Sequence, residues 1–561
     1  MLSPTASQER IRDHAALGLL VVAPAGCGKT EALALRVAGL IARGQVRAPS
    51  RVLVTTFSNR ARDNAWDRLH AHIPAQVMRD MVTVSNFHGL AARIIRAHAN
   101  VIGLDPDLIP PSSDWVAEEC RRRNLSYPVQ RDVEARLREA KQQMIDDAGV
   151  LRALEEGGNQ VAVDIERQRV IEGRLTYDDL LRLAELILAN EHVAALYSKH
   201  FGAVVVDEFQ DLTPQQLRVV KRIGYRKTTY AGDLAQGIYG FAGARPDEIY
   251  QALRAECSDE ITFFESHRSS PTLLTMVNSL ASLTGGQQLV AADPDSWPGG
   301  GLAAGARFDN VTEESGWILN FCRYVLTNAP GQRIGVLART RARRRFVDEL
   351  LESSGLPFHR WEDGVLDTTT ARTVKAMLPL VSMSNFASAD DQVEYLRQIA
   401  ALDQVQDPDE RTPLAQALDW CCDLLRDGVA PSDIRARIRI GDDSTLLTIP
   451  GVHLLTGHAG KGQQFDWIVV TGLEDGVLPD FRAARTIDGH AEEARILSVM
   501  LSRARHGAIV TYSRSVPIAD GTPRLREPSP FLENLRSCGA IGPGGVRQWL
   551  EAAHWDEIAI R

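Results

Sequence analysis

The chain has 561 residues, enough for more than one hydrophobic core, and its 44% hydrophobic and 24% charged content is that of a soluble globular protein. A net charge of −9 excludes whole-molecule attraction to nucleic acid, so any polyanion contact has to be local. Cys27, Cys120, Cys257, Cys322, Cys421, Cys422 and Cys538 form no CxxC or zinc spacing. No leader pattern opens the chain, and no apolar run reaches the roughly 20 residues of a membrane helix, so a soluble, reducing, cytoplasmic setting without a membrane is expected.

Residues 3–16 carry Gln8 in an amphipathic helical pattern. The apolar run 19–22 reads as a buried parallel strand. It breaks at Ala23-Pro24-Ala25-Gly26-Cys27-Gly28-Lys29-Thr30, and a helical pattern over 31–42, with Arg36 on it, follows. Strand, small-residue loop, Lys-Thr and helix make a phosphate-binding loop. Loop amides and the helix N-terminus point at an anion. Gly26 and Gly28 permit positive φ, Lys29 reaches the β- and γ-phosphates, and Thr30 holds Mg²⁺. The first glycine of GxxxxGK[ST] is Ala23 here.

Strands over 51–57 and 82–85, with a helix over 60–71 between them, continue the strand–helix alternation of a parallel sheet. Residues 91–199 turn helical and charged, with helices expected at 114–123, 129–148 and 177–189. The sheet resumes with the strand 203–206, which ends in Asp207-Glu208-Phe209-Gln210-Asp211. At the carboxyl end of such a strand, Asp207 suits Mg²⁺ and Glu208 suits the attacking water. The strand 228–231 leads to Gln236, placed to sense a γ-phosphate, and to Tyr239 and Phe241, whose faces suit bases.

A strand at 262–264 and a helix from 271 come next. Residues 285–305, rich in Gly and Pro, are expected to carry little structure. A second alternating set follows: helix 313–326, strand 334–337, helix 346–353, strands 452–455 and 467–471, helix 491–504 and strand 508–512. Arg339, Arg341, Arg343, Arg344 and Arg345 form the densest basic patch in the chain. Residues 361–445 are helical and show no catalytic pattern, and 541–561 form a tail with one helix.

In order and spacing, APAGCGKT (23–30), TTFSNRA (55–61), SNFHGLA (85–91), DEFQDLTPQQ (207–216), GDLAQGIYGFAGA (232–244), SHRSSPTLL (266–274), VLARTRA (336–342), TGHAGKGQQFD (456–466) and EEARILSVMLSRA (492–504) resemble the superfamily 1A UvrD/Rep/PcrA-type DNA helicases in compact form. The resemblance implies an α/β fold of two RecA-like P-loop motor domains with two mainly helical insertions. Motor 1A would be 1–90 with 200–275, insertion 1B 91–199, motor 2A 276–360 with 446–540, and a reduced insertion 2B 361–445. It implies 3′→5′ movement on single-stranded or tailed duplex DNA, driven by ATP and Mg²⁺ at the cleft between the motors.

By position, Gln8 would read adenine. Ala23, Ala25, Gly26, Cys27, Gly28, Lys29, Thr30 and Asp207 would hold the nucleotide, with Thr30 and Asp207 on the metal. Glu208, Gln236, Arg268 and Arg503 would be catalytic, with Lys461 and Gln464 beside them. Phe57, Asn59, His88, Tyr239, Phe241 and His458 would line the DNA track. Departures from the family pattern are His267 for the adenine-stacking tyrosine, Gln464 for a glutamate, Ala242 for an arginine, and Ser498 and Ser502 in the last motif. The chain also resembles helicase-like subunits of anti-phage systems of the Gabija type, which implies a separately encoded nuclease partner and little autonomous unwinding. A third reading is a subunit that senses nucleotide and DNA but turns over slowly.

Overall fold

The computed structural model describes residues 4–560 except 58, 106–107, 110, 112–114, 124, 241–242, 361–364, 367, 390, 406–407, 427, 441–448, 459–460 and 519–520. At 59–60, 121, 127–128, 365, 368–369, 404, 408–410, 412–413, 416, 423, 436, 439–440 and 484 it describes the backbone alone. Phe241, Ala242 and the side chain of Asn59 therefore lie outside the described residues. The chain divides into two compact units, Met1–Ser266 and His267–Arg561.

In the first unit, short β-branched and leucine-rich runs form strands buried on both faces, as a helix-covered parallel sheet requires. They are β1 (Leu19–Val22), β2 (Arg51–Thr56), β3 (Val82–Asn86), β4 (Phe201–Asp207), β5 (Thr228–Gly232) and β6 (Glu260–Thr262). Their order is β3-β2-β4-β5-β1-β6, and every pairing is parallel. The carboxyl ends of the neighbouring strands β4, β5 and β1 thus deliver Glu208, Asp233 and Ala23 to one edge, where doubly wound sheets bind ligands.

Helices fill the span between β3 and β4. Trp115, Val133, Leu137, Leu154 and Ile165 form a core of their own, whereas Leu180, Leu183 and Ile187 of helix Tyr177–Leu188 join the core beneath Val204 and Val206. Buried ion pairs lie in this region: Lys141 Nζ sits 2.9 Å from both Glu166 and Asp179, and Arg182 sits 2.8 Å from Asp179. Asp147, Glu166 and Asp179 converge like metal ligands, but Lys141, Arg169 and Arg182 already neutralise them.

The second unit holds another six-stranded, all-parallel sheet. It comprises β7 (Leu302–Phe308), β8 (Arg333–Ala338), β9 (Phe358–Arg360), β10 (Gly451–Thr456), β11 (Phe465–Thr471) and β12 (Ala504–Ser513). The order is β9-β10-β8-β11-β12-β7. Helices between β9 and β10 enclose a separate core that includes Val374, Phe386, Leu396, Leu418 and Ile434. Among the described residues no helix is long and apolar enough to cross a membrane.

Several expected elements are corrected. The helix expected over 129–148 is two, Tyr127–Lys141 and Asp147–Glu156, because the Asp146 side chain accepts from Gly149 N at 2.7 Å and starts a new N-terminus. Residues 302–308 are not structureless but form edge strand β7, with Leu302 opposite Gly507. The strand expected at 262–264 lies at β6, two residues earlier, since its partners are Leu20–Val22. The last-motif helix is Ile487–Leu501, so Arg503 follows it and immediately precedes β12. The tail has two helices, Pro543–Ala552 and Trp555–Ile560. The basic patch is largely internal: Arg343 pairs with Glu314 and Glu474, Arg344 with Asp348, and Arg339 with Glu493.

Candidate functional site

The loop after β1 turns on two glycines in the left-handed region, Gly26 (φ 82°) and Gly28 (φ 78°), and helix Lys29–Ala42 starts directly behind it. These conformations suit glycine, as the turn of a phosphate-binding loop requires. Lys29 Nζ lies 3.1 Å from Asp207 Oδ1 and also pairs with Glu208 Oε2. Burial pulls the ammonium's pKa down, but Asp207 and Glu208 more than offset it, so it stays above the ordinary lysine value. Burial, opposed by Lys29 and reinforced by Glu208, holds the Asp207 carboxyl above its usual range.

Two carboxylates thus share one cation. That surplus negative charge, beside a hydroxyl (Thr30) and a glycine cradle, fits a divalent cation carried on a phosphate chain. Gln8, which is 6% exposed, stands over the loop, where its Nε2 donates to Gly28 O at 3.4 Å. A side chain at position 28 would collide with it, since a Cβ there would lie 2.7 Å from that Nε2.

Glu208 is a non-glycine residue at φ 60°, ψ 54°, a costly conformation typical of functional turns. From it a hydrogen-bonded chain crosses the strand ends. Gln210 Nε2 donates to Glu208 Oε2 at 2.6 Å, Asp233 N donates to Gln210 Oε1 at 2.9 Å, and Gln236 Nε2 donates to Asp233 Oδ2 at 2.9 Å. Burial raises the pKa of Asp233 although Gln236 and Ala235 N donate to it. Gln210 and Asp233 escaped the sequence reading. No local signal marks them, because their link forms only once β4 and β5 lie side by side.

Phe57 and Tyr239 stack with centroids 5.4 Å apart at 14°, and Phe57 is 39% exposed. His88 stands edge-on to Tyr177 at 5.5 Å, and burial lowers its pKa, which keeps the ring neutral at pH 7.

In the second unit, Arg268 and Arg503 meet at Ser502. Arg268 Nη1 donates to its carbonyl at 3.4 Å, and Arg503 Nη2 to its hydroxyl at 3.2 Å. Arg503 also donates from Nε to Val499 O at 3.0 Å and is 3% exposed. Ser269 and Ser270 hydroxyls donate to Ala504 O and His506 O at 2.8 and 2.9 Å, which ties the Arg268 segment along the start of β12. His267 and Gln464 are exposed, while Lys461 and His458 are half-buried in one turn, with Lys461 N donating to His458 O at 3.2 Å.

A glycine loop behind one parallel strand, with paired carboxylates two strands away, defines a P-loop protein, and two such parallel sheets make it RecA-like. The UvrD/REP helicase N-terminal domain matches residues 5–256, and the UvrD-like helicase C-terminal domain matches residues 432–515. A Mycobacterium tuberculosis protein named ATP-dependent DNA helicase UvrD2 is 26% identical over 557 residues, covering 92% of this chain and 79% of the relative. A Leuconostoc citreum protein named ATP-dependent DNA helicase PcrA is 23% identical over 632 residues, covering 92% and 82%. A Staphylococcus aureus protein of the same name is 21% identical over 625 residues, covering 92% and 84%. The chain belongs to the UvrD/Rep/PcrA-type superfamily 1A helicase family.

Proposed function

We propose that this protein is an ATP-dependent DNA helicase or translocase that moves 3′→5′ on single-stranded DNA. The observation that carries the reading is the Lys29–Asp207–Glu208 cluster and its hydrogen-bonded connection to Gln236. In this reading the motors are 1–90 with 200–275 and 276–360 with 446–540, the insertions are 91–199 and 361–445, and 541–561 is a tail. Lys29 and the loop amides bind the triphosphate. Thr30 and Asp207 would hold Mg²⁺, which when bound would offset negative charge on the phosphates. Glu208 orients the attacking water and accepts its proton.

Arg268 and Arg503, with Lys461, supply positive charge to the γ-phosphate when the motors close on ATP. A finger on the other motor makes hydrolysis depend on that closure, worth roughly 10³–10⁵ in rate. Gln236 passes the state of the γ-phosphate to Tyr239. Phe57, Asn59, His88, Tyr239, Phe241 and His458 line the DNA track, where stacking tolerates any sequence and suits an acidic protein. His267 and Gln464 flank the base and phosphate ends of the nucleotide.

The test is strand separation on duplexes with 3′ or 5′ tails. Unwinding of the 3′-tailed substrate alone supports the reading, and unwinding of the 5′-tailed one alone contradicts the polarity. A second reading is a motor subunit that feeds a separate nuclease and unwinds little by itself. What favours it is that the alignment to the Leuconostoc protein runs over 632 positions, so within the aligned span that relative carries residues this chain lacks. DNA-stimulated ATP hydrolysis without strand separation would move the conclusion to this reading.

A further inference from the structure

Arg36 lies two turns beyond Lys29 on the phosphate-loop helix and plays no part in the chemistry above. It is fully buried, and among the described residues no carboxylate pairs with it. Its Nε donates to Thr229 Oγ1 at 3.2 Å, and its Nη1 donates to His14 O at 2.6 Å and Ile11 O at 3.4 Å, while Nη2 donates to Ala16 O. Burial lowers its pKa to about 10, which still leaves it charged at neutral pH. A buried guanidinium that meets only neutral acceptors is costly unless each donor is engaged.

The acceptors are informative. Ile11, His14 and Ala16 are the last turn and exit of helix Ala6–Asp13, whose terminal carbonyls lack partners within the helix and carry its negative dipole end. The two helices also meet backbone to backbone: a Cβ on Gly39 would lie 2.2 Å from Arg12 O. Arg43 adds donors to Arg12 O and His14 O. At the other end of the same short helix, Gln8 accepts from Thr5 N at 2.9 Å and reaches over Gly28.

We propose that Arg36 is a positioning residue for base recognition: by clamping the exit of helix Ala6–Asp13 to the phosphate-loop helix, it fixes where Gln8 stands and so the preference for adenine. The inference rests on reading the loop as an ATP site with Gln8 at the base. A glutamine amide matches adenine's paired donor and acceptor, whereas guanine presents two acceptors. That match is bidentate, so a shift of the helix by about 1 Å degrades it by up to roughly 100-fold.

The experiment compares kcat and KM for ATP and GTP in the full chain, with saturating single-stranded DNA. Arg36→Met is expected to lower the ATP/GTP ratio of kcat/KM by roughly 10- to 100-fold, mainly through KM for ATP, with kcat at saturating ATP within about threefold. Gln8→Ala should give a similar ratio, and the double variant should match the singles. Arg36→Lys, which keeps the charge but not the reach, and Gly39→Ala, which pushes on Arg12 O with Arg36 intact, should both lower the ratio. These two decide the matter if Arg36→Met does not fold.

An unchanged ratio in these variants, or an equal fall of kcat for both nucleotides, would overturn the proposal, as would a wild-type protein with no base preference. The underlying ATP-site reading fails differently: wild-type protein would hydrolyse neither nucleotide, or Lys29→Ala would keep the activity.

Discussion

Replacing Arg343 by methionine tests whether the Arg339–Arg345 cluster is structural cement or a polyanion surface. Arg343 is 4% exposed, and Glu314 and Glu474 are fully buried. Its Nη2 pairs with Glu314 and, at 2.7 Å, with Glu474 Oε1, and its Nε lies 2.9 Å from Glu474 Oε2. Methionine fills much of the volume but leaves two buried carboxylates without a cation, and breaking a buried pair costs about 3–5 kcal/mol. Thr471 and Ser513 hydroxyls keep donating to Glu314, at 2.9 and 2.8 Å, so the lower part of the range applies.

Urea unfolding followed by tryptophan fluorescence reports mainly on the second unit, where Trp467 lies in the core and Trp317, Trp549 and Trp555 pack against it. We expect a loss of about 3–4 kcal/mol at pH 7. A loss below about 1 kcal/mol, or unchanged stability with weaker and less salt-dependent DNA binding, would refute the internal assignment.

Glu208→Gln keeps the shape beside Lys29 and Gln210 but removes the base, so ATP hydrolysis should drop roughly 10²- to 10⁴-fold while fluorescent-nucleotide binding persists. Arg503→Ala should likewise spare ATP binding and lower turnover by roughly 10³- to 10⁵-fold, and parallel loss of both would contradict its role. Phe57→Ala breaks the stack on Tyr239 and should weaken single-stranded DNA binding by about 1–3 kcal/mol without changing its salt slope. Burial holds the His453 imidazole down at about 4 in the folded unit, whereas the unfolded chain takes up its proton near pH ~6.5. Stability from this residue is therefore complete above about pH 6.5 and falls by roughly 3 kcal/mol as pH drops to 4. His453→Phe should flatten that part of the stability profile, and an unchanged profile would contradict the assignment.

Sheet strands and loop were legible because local rules agree there: Leu19–Val22 is apolar throughout, and Gly26 and Gly28 sit where a phosphate loop needs positive φ. Apart from the local Asp146 cap that splits the helix expected over 129–148, much of the rest was decided by partners distant in sequence. Leu302–Phe308 is a strand because Gly507–Ser513 lies beside it, although its Gly-rich approach argues for a loop. The arginine run reads only as a basic patch, because nothing local reveals Glu314, Glu474 and Glu493 as its counter-ions. Gln210 and Asp233 were overlooked for the same reason, since their link from Glu208 to Gln236 exists only once β4 and β5 are neighbours.

In the proposed function the Lys29–Asp207–Glu208 cluster hydrolyses ATP in response to DNA. Steady-state ATP hydrolysis by the intact protein, with and without single-stranded DNA and beside Lys29→Ala, tests it most directly. Slow turnover without DNA, strong stimulation by it, and none in the variant are expected. Hydrolysis that ignores DNA, or that survives the loss of Lys29, would contradict it.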